Sequence, residues 1–147
     1  SDQDPEAMLK KYSAALVIGD PALFCQPKEL VYKYDLGELW HSWTGKPFVF
    51  ALWAVRREFA VRHPERLKVF SEVLKENLLK NLADPEGLLR EALTITPADK
   101  KFCQILGYLV NLQYTLDADM REGVVKFFEL AHEEGLAPVP KPLEFFE

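Results

Sequence analysis

Between Lys46 and the Arg56-Arg57 pair the chain runs Pro47-Phe48-Val49-Phe50-Ala51-Leu52-Trp53-Ala54-Val55, nine residues with no charged side chain. A run this apolar is costly in water unless it is covered, and its aromatic and β-branched residues favour an extended backbone. We expect a long central strand here, opened by the proline and closed by the arginines. A shorter run, Ala14-Ala15-Leu16-Val17-Ile18, stops at Gly19-Asp20-Pro21 and also reads as a strand covered on both faces. Such strands belong to parallel sheets flanked by helices, so the expected fold class is α/β. Two strands make too small a sheet to stand alone, and the remaining strands are expected upstream of Ser1.

The other segments read as helices. Pro5 opens a short one over Glu6 to Tyr12. Asp20 can cap a turn that has Pro21 at its first position, and Gln26 to Lys33 reads as loop or edge strand. Asp35-Leu36-Gly37-Glu38 has capping-box spacing, and the helix it starts stops at Thr44-Gly45. Beyond Pro64, Leu67, Phe70, Leu74, Leu78 and Leu82 recur at three- and four-residue steps along one helical face. A short helix fits Glu86 to Leu93. Thr96-Pro97-Ala98-Asp99 starts another, carrying Phe102, Ile105, Leu106 and Leu109. Asp117 opens the last, with Met120, Val124, Phe127, Phe128 and Ala131 on one face and Gly135 at its end. The three prolines of Ala137 to Pro142 make an extended strap, with Phe145-Phe146 pinning the terminus.

Composition narrows the function. The 147 residues carry 18 basic and 23 acidic side chains, a net charge of -5, which argues against a nucleic-acid surface. No apolar run is long enough for a membrane span, and the N-terminal stretch lacks the pattern of a signal peptide. Cys25 and Cys103 are the only cysteines, too few for a disulfide framework or a cysteine zinc site. The default compartment is the cytosol. His41, His63 and His132 are scattered, and His132-Glu133-Glu134 lacks the spacing that brings two histidines to one helical face, so a metal centre is disfavoured. Phosphate-loop and nucleophile-elbow motifs are absent.

Two places invite a ligand. At Ile18-Gly19-Asp20, glycine would let a ligand approach the backbone beyond a strand end, although Asp20 as a helix cap and Gly19 as a turn explain the same residues. Around Gly45-Lys46-Pro47 cluster Trp40, Trp43, Thr44, Phe48, Phe50 and Trp53. This is either an apolar wall for a small cyclic substrate, with the Thr44 hydroxyl as a polar point, or core packing; Trp53 reads as core outright. Arg56, Arg57 and Arg62 either attract an anion or form a solvated positive face.

The order of these segments resembles the chorismate dehydratase family of the futalosine route to menaquinone. The resemblance rests on Ala15-Leu16-Val17-Ile18-Gly19-Asp20-Pro21-Ala22-Leu23, on Tyr34-Asp35-Leu36-Gly37-Glu38-Leu39-Trp40, and on Trp43-Thr44-Gly45-Lys46-Pro47-Phe48-Val49-Phe50-Ala51-Leu52-Trp53. Tyr108-Leu109, Tyr114-Thr115-Leu116, Gly123 to Phe128 and Glu134-Gly135-Leu136 extend it, so that it covers Ala14 to Leu136. It implies a two-lobed fold similar to type II periplasmic binding proteins, of which this chain holds the later part. Residues 1–46 would end the second lobe, and residues 47–147 would form the return strand and the helices packed on the first. An upstream segment of the same protein would then complete the site.

The implied activity is that of a carbon–oxygen lyase. Chorismate loses water, without a cofactor or metal, to give 3-[(1-carboxyvinyl)oxy]benzoate. Asp20 would be the catalytic group, orienting the ring hydroxyl or shaping its loop, and Gly19, Thr44 and Phe48 would line the substrate pocket. Two alternatives share the expected fold: a solute-binding protein, which would use the cleft without chemistry, and another enzyme of the futalosine pathway. A helical scaffold with no small ligand is disfavoured by the two apolar runs. The expected partner is the small substrate, with no nucleic acid and no membrane, and an exposed strand edge leaves a homodimer open.

Overall fold

The computed structural model describes residues 4–24, 32–93 and 99–146. Among these residues there are eight α-helices and no strand. The α/β expectation is therefore overturned, and with it the two-lobed fold similar to type II periplasmic binding proteins. Neither apolar run is paired into a ladder among the described residues. Along Ala14–Ile18 exposure alternates: Ala15 and Val17 are half-buried, while Leu16 and Ile18 are 68% and 66% exposed. In the longer run, Pro47, Phe48 and Val49 are half-buried, but Phe50 is 72% and Trp53 82% exposed, so Trp53 is not the core residue its apolar run predicts. The sequence pattern records a preference for extended, covered backbone. It does not record whether a neighbouring strand exists to accept the hydrogen bonds, and a ladder needs that neighbour.

The chain divides into two compact units. The first comprises Ser1–Val31 and Val55–Leu112. In it α1 (Pro5–Leu9) starts where Asp4 accepts from the Glu6 amide at 3.1 Å, and it stops short of the expected Tyr12. Gly19, at φ +65°, precedes α2 (Asp20–Phe24), and its carbonyl accepts from the amides of Ala22 and Leu23. Then come α4 (Arg57–Arg62), α5 (Pro64–Ala83), α6 (Pro85–Ala92) and α7 (Lys100–Asn111). Prolines open α5 and α6 at positions where a missing N–H costs nothing. Asp84 and Asp99 cap α6 and α7 by accepting from Gly87 and Lys101, each at 2.8 Å. The expected start signal Thr96-Pro97-Ala98 lies outside the described residues, as does most of Gln26 to Lys33.

Packing in this unit runs from helix to helix: α4 on α5, α5 on α6, α6 on α7, and α7 on α2. Its core is Leu67, Leu89 and Phe102, the last only 1% exposed. Of the expected stripe on α5, Leu67 is buried, Leu74 and Leu78 are half-buried, and Phe70 and Leu82 remain exposed.

The second unit comprises Tyr32–Ala54 and Gln113–Glu147 and contains α3 (Leu36–Thr44) and α8 (Ala118–Glu133). Both helices start as the sequence predicts. Asp35 accepts from the amides of Gly37 and Glu38, and Asp117 from that of Met120 at 2.9 Å. Both are followed by a glycine in the left-handed region, Gly45 at φ +69° and Gly135 at φ +70°. The core of this unit is Trp40, Gly123 and Val124. No helix among the described residues is long and apolar enough to cross a membrane.

Candidate functional site

The second unit holds an open groove of about 470 Å³, built from the end of α3, the turn after it and one side of α8. The turn exists because Gly45 adopts a left-handed conformation that an L side chain rarely takes, and its amide donates to the His41 carbonyl at 2.8 Å. Thr44 locks this corner from both sides. Its hydroxyl donates to the Trp40 carbonyl at 2.8 Å, and its oxygen accepts from the Lys46 amide at 3.2 Å.

The chain then delivers Lys46 to the first turns of α8. Its ammonium group sits 2.8 Å from Asp119 Oδ1 and 2.5 Å from Glu122 Oε2. Those residues are three apart on a helix, so their carboxylates rise side by side. Hydrogen bonding to Asp119, then to Glu122, holds the Lys46 ammonium well above the usual lysine range. Next along the chain the Pro47 carbonyl lies against Gly123, where even a Cβ would come within 2.5 Å of the oxygen. Gly123 is buried because the backbone of α8 must come this close.

Positions 121, 125 and 129 of α8 follow one another at four-residue steps, as do 122 and 126. Two adjacent rows thus line the groove: Arg121, Val125 and Glu129 in one, Glu122 and Lys126 in the other. The walls carry both signs of charge over one apolar residue. Lys46 is already matched to two carboxylates. Arg121 lies over the Phe145 ring, with its guanidinium carbon 4.6 Å from the ring centroid, so Phe145 pins the C-terminal segment onto α8.

An aromatic cluster in the same unit supports the corner. Trp40 meets Trp43, Phe48 and Phe127 at centroid distances of 6.0, 5.7 and 5.8 Å, and Phe48 in turn meets Phe50 at 5.2 Å and Phe127 at 5.8 Å. Most of these contacts are edge-on, the arrangement favoured by ring quadrupoles. Trp40 and Phe48 thereby act as packing, which was one of the two readings of this cluster. The structure brings Thr44 and Phe48 together around Trp40: Thr44 lines the groove, and Phe48 belongs to the aromatic cluster.

Gly19 and Asp20 belong to the first unit. Gly19 is a turn residue with a left-handed backbone. Asp20 is the exposed first residue of α2, and it is the Gly19 carbonyl that accepts the first helical hydrogen bonds. A second, smaller groove of about 230 Å³ in the first unit collects Arg56, Glu58, Phe59, Arg62 and His63. Of the three arginines considered from the sequence, two thus share a groove with an acid and a ring. Among the described residues no group of three or more His, Cys, Asp or Glu side chains is placed to hold a metal ion.

Sequence reasoning missed the α8 side of the main groove. Its only trace was the Asp119/Glu122 spacing at the helix start, which on its own reads as complementing the helix dipole. Nothing local pairs it with Lys46, whose sequence distance from Asp119 is 73 residues.

A family model for menaquinone biosynthesis matches residues 1–133. The chain belongs to that family. The match spans both units, including the Gly19-Asp20 turn, the Thr44–Lys46 corner and the helical part of α8. Family membership gives the chain a role in menaquinone biosynthesis and agrees with its being an enzyme. No solved structure matches the chain.

Proposed function

We propose that the chain acts as a chorismate dehydratase, a carbon–oxygen lyase of menaquinone biosynthesis. The observation that carries this reading is the family match over residues 1–133, together with the Ile18-Gly19-Asp20 and Thr44-Gly45-Lys46-Pro47-Phe48 segments that resemble the dehydratase pattern. In the reaction one C–H and one C–O bond of the cyclohexadiene ring break, one C=C forms, and water leaves. Carbon needs neither oxidant nor reductant for this step. Aromatisation makes it downhill, so the protein's task is to hold the ring, accept a proton and help the hydroxyl depart.

We assign Asp20 to the ring hydroxyl on the strength of its motif, since its exposed carboxylate at the start of α2 is open to a ligand. Gly19 keeps that approach clear, because nothing lies within 4 Å of where its Cβ would stand. Thr44 spends its hydroxyl on the Trp40 carbonyl, so its role is to fix the corner that presents Lys46. Phe48 holds that corner against the aromatic cluster.

The test is incubation with chorismate followed by mass spectrometry, using this chain and, side by side, the complete gene product. A product lighter by one water supports the reading; from the complete product alone, it also shows that residues outside this chain complete the site. Absence of the enolpyruvyl benzoate from both sinks it. Asp20→Asn is expected to lower kcat with little change in KM, and unchanged turnover would remove Asp20 from the mechanism.

A further inference from the structure

We infer that the groove in the second unit is a binding site for a small organic monocarboxylate, whose charge is met by Lys126 and whose apolar body lies along Val125. A pairing that does not form gives the site its charge. Glu122 and Lys126 are four apart on α8, acid first, the spacing and order at which such residues pair across one helical turn. Here Glu122 gives its carboxylate to Lys46 instead, and Lys126 makes no ion pair or hydrogen bond among the described residues. Lys126 is nevertheless half-buried, and it lines the groove. An ammonium group partly withdrawn from water and without a counter-charge attracts an anion.

The walls select which anion. The groove measures about 470 Å³, within the range of small-molecule sites and far more than a bare inorganic ion fills. Val125, next to Lys126 and 40% exposed, gives the ligand apolar surface to cover. Asp119 and Glu122 outweigh the one ammonium they share, and Glu129 adds another negative charge to the wall. That surplus repels a dianion such as phosphate, whereas a single carboxylate can sit on Lys126 with its apolar body on Val125. Arg121, at the start of the same row, is held over the Phe145 ring, which keeps its positive charge on the wall. Asp20 belongs to the first unit and takes no part, so the inference stands apart from the dehydratase reading.

The test is titration of the intact chain with benzoate, followed by backbone amide shifts in NMR, with benzamide as the uncharged counterpart and inorganic phosphate as the dianion. Benzoate should bind with a dissociation constant on the order of millimolar, in keeping with so few atoms, and should move the amides of Thr44 to Lys46 and of α8. Benzamide and phosphate should bind roughly tenfold more weakly. Lys126→Met keeps an unbranched stem and a good helix former but loses the charge, and should raise the benzoate constant about tenfold; Lys126→Arg should stay within about twofold of wild type. Glu129→Gln removes a repelling carboxylate and should tighten binding about twofold. The inference is overturned if benzoate gives no saturable shift, or if the shifts centre on the Arg56–His63 groove of the first unit. It is equally overturned if benzamide or phosphate binds as tightly as benzoate, if Lys126→Met binds as wild type does, or if Glu129→Gln weakens binding.

Discussion

Replacing Gly123 with alanine adds one methyl group where the structure has no room for it. The new Cβ would lie 2.5 Å from the Pro47 carbonyl oxygen, with the Pro47 carbonyl carbon at 3.6 Å and Lys46 Cβ at 3.7 Å. Relieving that contact means moving α8 or the Pro47 backbone by about 1 Å. Neither is free to move. Lys46, one residue earlier, is tied to Asp119 and Glu122 on the same helix, and Phe48, one residue later, is wedged among Trp40, Phe50 and Phe127. Overpacking of this kind costs about 1–3 kcal/mol. Alanine gains up to about 1 kcal/mol over glycine in a helix interior, so the net change is a loss of about 1–2 kcal/mol.

Gly107, inside α7, is the matching control. Nothing lies within 4 Å of its Cβ position, so alanine there should stabilise by about 0.5–1 kcal/mol. The two outcomes can be read separately, because Trp40, Trp43 and Trp53 all belong to the second unit. In urea the tryptophan-fluorescence midpoint of Gly123→Ala should fall by roughly 0.5–1 M, while the circular dichroism midpoint of Gly107→Ala should rise. If Gly123→Ala raised its midpoint as Gly107→Ala does, the close seating of α8 on Pro47 would be wrong.

Three further outcomes follow from the same geometry. Trp40→Ala should cost about 3–5 kcal/mol in the second unit, because it empties the centre of the aromatic cluster; a loss under about 1 kcal/mol by fluorescence of the remaining tryptophans would refute that role. Gly45→Ala puts a Cβ at φ +69°, and the left-handed strain of about 1–2 kcal/mol should appear as a lower melting temperature, whereas Gly107→Ala raises it. The Met120 amide, and after it the Gln113 side chain, hold the Asp117 carboxyl below its ordinary value of about 3.9. Its stabilising effect is therefore fully present above about pH 4 and is lost as pH falls through the lowered folded value, so Asp117→Asn should flatten the acid limb of a stability–pH curve.

The helices were legible because their signals are local. Asp35 and Asp117 cap α3 and α8 with their own side chains where the sequence places those starts, and Gly45 and Gly135 end the two helices in the left-handed conformation; Asp84 and Asp99, not read as caps, hold the starts of α6 and α7, and α4, which has no side-chain cap, was not foreseen. The two apolar runs were misread for the opposite reason. A strand is defined by its neighbour, and the alternation of Leu16 and Ile18 or the β-branched content of Pro47–Val55 says nothing about whether that neighbour is there. At the groove, Thr44 was found through its aromatic surroundings. Lys46 was seen only as part of a turn, since its partners on α8 are remote in sequence.

The corner after α3 is held by a set of contacts that act together rather than by any single one of them. Thr44 binds backward to Trp40 and forward to Lys46; Lys46 binds α8; the Pro47 carbonyl abuts α8 where only glycine fits; and Phe48 returns to Trp40. Loosening one of these should loosen the others, because each fixes the same few residues against the same helix. Past Phe50 this support ends, and the run continues exposed through Leu52, Trp53 and Val55. The second unit thus secures the start of its most apolar segment through this one corner.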